Sequence, residues 1–167
     1  RRAMSESKTE AEVISFPKDP KKKVSSTEKI WGKAVYSLGY TGIPSILIQG
    51  QRRLGITPTQ MNIIIQHLDY WREPSRKPFP TKNELAERLD VTAKTIQNNI
   101  RALEKAGLIT RELRRTAAGD WNSNIYHLDG LVQKVQALEP DFSEARRKRK
   151  EAKANAETPA GRRVKSK

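Results

Sequence analysis

The sequence contains no cysteine, which excludes disulfides and thiolate metal sites. Histidine occurs twice, at His67 and His127, in unrelated parts of the chain and with no ligand-type partner at metal spacing, so no metal ion is expected. There is no glycine-rich phosphate loop of the Walker or dinucleotide type, and no pair of carboxylates beside an evident acid or base. Catalysis and a bound cofactor are therefore not expected. No apolar run approaches the roughly 18 residues that span a bilayer, and the N-terminus lacks the apolar core of a secretory signal. Aromatic residues make up 6% of the chain and apolar residues 35%, too few for 167 residues packed throughout. One modest core with disordered ends is the expectation.

Positive charge is what the chain has in excess. The formal net charge is +14, divided as +4 over residues 1–33, +3 over 34–142 and +7 over 143–167. Basic ends on a modestly charged centre suit a polyanionic partner, because each neutralised phosphate releases counterions. Such ends also serve solubility alone. A membrane surface fits poorly, since no helix rich in Trp or Phe adjoins the lysines.

The informative stretch is 81–115, TKNELAERLDVTAKTIQNNIRALEKAGLITRELRR. Thr81 with Glu84 three residues on has the form of a capping box, and Thr92 opens a second helix. Leu85 and Leu89 share one face of the first helix, with Ala86 beside them for close packing, and Asp90-Val91 makes the turn. In the second helix Val91, Ile96, Ile100 and Leu103 form an apolar stripe. Lys94, Gln97, Asn98 and Arg101 fall opposite, where amides and cations can read base edges or hold phosphates. Gly107 ends this helix, which spans about 93–106.

This run resembles the winged helix-turn-helix family: a short helix, a turn, a recognition helix, the "L-E-x-x-G-L-I" segment and a strand. With the proline-rich Lys77–Thr81 segment, Ile43-Pro44 and Leu54–Thr57, it looks most like the branch found in phage and plasmid replication proteins and mobile-element regulators. The resemblance covers about residues 43–129. It implies a mainly α fold with a small β-hairpin wing, in which Leu108–Arg115 and Asn124–Leu128 are the strands and Thr116–Ser123 the turn. It also implies that Thr92, Lys94, Thr95, Gln97 and Asn98 enter the major groove, that Arg101, Thr81 and Lys82 join the contact, and that Arg111, Arg114 and Arg115 bring the wing to the backbone or minor groove. The lesser alternative for those arginines is surface ion pairing with Glu112 or Asp120. Trp121, in the wing turn, either packs or meets a partner.

Around this centre the expected domains are a disordered arm over 1–30, the winged domain with flanking helices over 31–138, and a disordered basic tail over 139–167. Met4 has the look of a natural start, and Lys18–Val24 is a basic cluster of a DNA-contacting or nuclear-targeting kind. Trp31, Tyr36 and Tyr40 are expected to pack on the domain. Pro44 suits a helix start, although Ser45–Gln49 also reads as a strand. Thr57-Pro58-Thr59-Gln60 starts a helix that should bury Met61, Ile64, Ile65, Leu68 and Trp71, with His67 in a structural or surface role. Arg76 and Lys77 are further candidates for phosphate. Leu131, Val132, Val135 and Leu138 make a short apolar-faced helix that either folds back on the core or, by analogy with the family, forms a homodimer.

The leading functional expectation is sequence-specific binding of double-stranded DNA by a cytoplasmic, nucleoid-associated transcriptional regulator. The alternatives are a replication initiator or partition protein of a phage or plasmid, which would recruit replication proteins through its tails, and a winged-helix adaptor between proteins. No second domain for helicase contact is visible in 167 residues, which tilts the reading to a regulator.

Overall fold

Three threonine caps set the helical frame. Thr57 and Thr81 each accept a hydrogen bond from the backbone N–H three residues on, at 3.2 and 3.1 Å, while the side chains of Gln60 and Glu84 accept from the threonines' own N–H groups. Thr92 accepts from the Thr95 N–H at 3.1 Å. Each hydroxyl satisfies a donor that the first helical turn leaves without a partner.

The computed structural model describes residues 23–114 and 124–160. It falls into two units that divide after Gly39. The first contains α1 (Ser26–Trp31), capped by the Ser25 hydroxyl, and α2 (Lys33–Ser37), and neither helix buries a residue. Helix thus begins at Ser26, inside the arm expected to be disordered to residue 30. Trp31 and Tyr40, both expected to pack, are 65% and 62% exposed. Met4 and residues 18–22 lie outside the described residues.

The second unit holds α3 (Ser45–Gln49), α4 (Gln51–Leu54), α5 (Pro58–Tyr70), α6 (Lys82–Leu89), α7 (Ala93–Lys105), β1 (Thr110–Glu112), β2 (Ile125–His127) and α8 (Asp129–Glu157). Pro44 is the cap residue of α3, and 45–49 is helix, which settles the helix-or-strand ambiguity there. α5 is the scaffold against which α6 and α7 pack. Its buried set is Met61, Ile63, Ile64 and His67, whereas Ile65, Leu68 and Trp71 are only half-buried. The run Ile63-Ile64-Ile65 is apolar on all sides, so the neighbours, not the periodicity, choose which side is covered.

Asp90 takes the left-handed conformation (φ 52, ψ 48) at the end of α6, a position Asp tolerates because its short polar side chain bonds locally. β1 and β2 pair antiparallel, with Arg111 opposite Tyr126. On the other edge of β2 the Tyr126 N–H donates to the Pro78 carbonyl at 2.8 Å. The 73–80 segment therefore runs beside β2, and Pro78, with no N–H of its own, can share in the ladder only by accepting. Strand β1 is three residues long, shorter than the 108–115 run expected. The wing turn, with Arg115 and Trp121, lies outside the described residues.

The largest departure is α8. The expected helix to 138 and disordered tail from 139 are instead one helix of 29 residues that continues through Pro140 to Glu157. Its first turn is locked to the end of α7: the Leu131 N–H donates to the Leu108 carbonyl at 3.0 Å, and the Lys134 ammonium donates to the Ala106 carbonyl at 2.6 Å. Leu131 and Leu138 are buried, and Arg53 pairs with Asp141 at 2.5 Å. Past that point Arg147 bridges Glu144 and Glu151 along the helix, which supports it where no core does.

Candidate nucleic-acid interface

The chemistry of α7 divides sharply by face. Ile96, Ile100 and Leu103 are at most 2% exposed and hold the helix to the core. On the far side Lys94, Asn98 and Arg101 are exposed and Gln97 is half-buried. None of these four has a hydrogen-bond or ion-pair partner among the described residues. Lys94, Asn98, Arg101 and Lys105 follow at steps of four, three and four, one line along the helix about 16 Å long. Lys105, also exposed, is a member of this line that the sequence reading passed over, although the same spacing marks it.

The remaining candidates are placed differently. Thr92 and Thr95 share a hydrogen bond between their hydroxyls at 2.9 Å, and the Thr92 oxygen also caps α7. Thr81 is likewise committed to the start of α6, with the half-buried Lys82 beside it. Asn99 turns back to donate to the Thr95 carbonyl at 2.8 Å.

The wing arginines are partly occupied. Arg111 Nε lies 2.6 Å from Glu104 Oε1, both side chains largely covered, so its ion pair forms with α7 and not with Glu112, while Asp120 lies outside the described residues. Glu112 instead contacts His127 Nε2 at 2.8 Å. The Arg114 guanidinium sits 4.9 Å from the centre of the Phe79 ring. Lys77 is held over the Trp71 ring and 3.4 Å from Asp129, which leaves the exposed Arg76 as the freer of the two phosphate candidates in that loop. The described residues contain no group of acidic or imidazole side chains placed to hold a metal ion. None of their helices is long and apolar enough to cross a membrane.

A pair of helices, α6 and α7, on a helical scaffold, followed by a two-stranded hairpin, is a winged-helix arrangement. The sequence profile described as "DnaD N-terminal domain" matches residues 43–146. The chain belongs to the DnaD N-terminal domain family. The DnaD N-terminal domain of Geobacillus kaustophilus HTA426 is 20% identical over 76% of this chain and 99% of that one, with a TM-score of 0.48. S. aureus MepR, in its complex with DNA, is 25% identical over 62% of this chain and 71% of its own, with a TM-score of 0.39. A possible transcriptional regulator from Methanosarcina mazei Go1 is 14% identical over 59% and 80%, with a TM-score of 0.41. No curated protein matches the sequence. The DnaD match takes in the whole α3–β2 unit and stops at residue 146, part-way along α8.

Proposed function

We propose that this chain is a DNA-binding protein of replication initiation, non-catalytic, acting on the nucleoid in the cytoplasm. Membership of the DnaD N-terminal domain family favours replication over the transcriptional regulator that sequence alone put first. The observation that carries the DNA part is the outward face of α7, a line of cations and amides with no partner among the described residues.

In this reading α7 lies in a major groove. Gln97 or Asn98 pairs with an adenine through its amide, and Lys94 or Arg101 takes guanine or phosphate. The wing contributes less than its arginine count suggests, because Arg111 is neutralised by Glu104 and Arg114 lies on Phe79. Replication proteins are the further partners this role requires.

Selection of bound fragments from a random duplex pool tests it. An enriched sequence should emerge. Gln97→Ala or Asn98→Ala should cost about 1–3 kcal/mol of discrimination at one base pair, while Arg101→Ala weakens all sequences and lowers the salt slope by about one. No enrichment, together with unchanged binding by a Lys94→Glu/Arg101→Glu variant, would remove the proposal.

A further inference from the structure

The face of α8 that packs on the domain does not end where the core ends. Leu131, Val135, Leu138 and Phe142 recur at steps of four, three and four, and are buried or half-buried. The same steps carry on to Arg146, Arg149 and Lys153, with Lys150 alongside. One helical face thus changes from apolar to basic as it leaves the core. Arg146 and Arg149 line a groove of about 580 Å³ against Ser45, Ile46 and Gln49 of α3. The acid in its lining, Glu139, accepts a hydrogen bond from Ser143.

The acids of the projecting half are engaged away from this face. Glu144 and Glu151 are taken by Arg147, with Lys148 also 3.6 Å from Glu144; the exception is Glu157, which lies on this face and makes an exposed contact of 3.9 Å with Lys153. Arg146, Arg149 and Lys150 have no counter-ion among the described residues. Three uncompensated cations within five residues of preformed helix, little more than one turn, form a local field that ordinary solubility does not require. Between Arg146 and Lys153 the helix rises about 10 Å, the axial span of about three phosphates on one strand.

We infer that this face of α8 is a second nucleic-acid contact, gripping the phosphodiester backbone irrespective of sequence. Except for Arg146 it lies past the end of the family match, so it belongs to this chain and not to the shared domain. It does not depend on α7 reading bases. Duplex and single strand present the same phosphate chemistry.

The test compares Arg146→Gln/Arg149→Gln/Lys150→Gln with the wild type on a mixed-sequence duplex and on an oligothymidylate, as affinity against salt. The log–log slope should become shallower by about 2.7 on duplex if that is the strand form held, or by about 2 on the single strand, with helix content by circular dichroism retained. Arg147→Gln/Lys148→Gln, which removes two cations from the other side, should leave the slope as it was. An unchanged slope in the triple variant overturns the inference. So does an equal loss per charge in both variants, which would mean net charge alone, and so does loss of an acidic protein partner with DNA binding intact. A flattened slope in the triple variant, alongside unaltered specificity in Gln97→Ala and Asn98→Ala, would sink the α7 reading and leave this one standing.

Discussion

At the level of single residues, His67 is the most constrained ionisable group in the domain. Its side chain is 0% exposed, its Nδ1–H donates to the Ile63 carbonyl at 2.7 Å, its ring meets Tyr126 edge-on at 4.6 Å, and Nε2 has no partner. Burial pushes its pKa down from 6.5 to about 4, against a smaller opposing effect of the Ile63 hydrogen bond. Between those values the unfolded chain binds a proton that the folded chain refuses. The stability from keeping the imidazole neutral is therefore complete above about pH 6.5 and is lost as pH falls towards 4, a change on the order of 3 kcal/mol. Urea unfolding at pH 7 and pH 4.5 should show this loss in the wild type and a much smaller one in His67→Leu. Equal losses would place the acid sensitivity elsewhere. In the sequence His67 reads as structural or surface, with nothing local to choose between the two. Burial at that position depends on Tyr126, 59 residues away, closing over the helix.

For the secondary-structure elements, what was legible followed from local chemistry. The capping boxes at Thr57 and Thr81, the Asp90 turn and the Gly107 stop each depend on residues within one turn of each other. The wing arginines were not legible in this way, because the partner of Arg114 is Phe79, brought near only by the fold. The extent of α8 is hard to read for a different reason: past residue 142 the segment has almost no apolar face, so by itself it is a weak helix. Tertiary anchoring of its first turns supplies the nucleus that an isolated segment lacks. Gly130 is the tightest point of that anchor, since a Cβ there would lie 2.0 Å from the Gly107 carbonyl oxygen. Gly130→Ala should therefore destabilise the domain by about 1–3 kcal/mol or more through forced separation of α8 from the end of α7. Thermal unfolding checks this, and an unchanged midpoint would mean that the junction yields freely.

For the molecule as a whole, the structure separates two polar surfaces by the kind of contact each suits. The α7 line mixes amides with cations, a composition able to distinguish bases. In the far half of α8, Arg146, Arg149 and Lys150 present cations with no amide among them, groups that hold phosphate without selecting sequence. The winged architecture was legible in residues 81–115, and so was the division of α7 into an apolar and a polar face, because a stripe with polar groups opposite is a one-dimensional pattern. The biological setting was not, because regulators and replication proteins share that pattern; the match over residues 43–146 is what favours replication. The account stands most squarely on α7, and nuclear magnetic resonance of labelled protein during titration with a selected duplex addresses it directly. The side-chain amide signals of Gln97 and Asn98, with the backbone amides of 92–101, should shift first and furthest. Saturable binding that leaves those signals unmoved while others shift would contradict it.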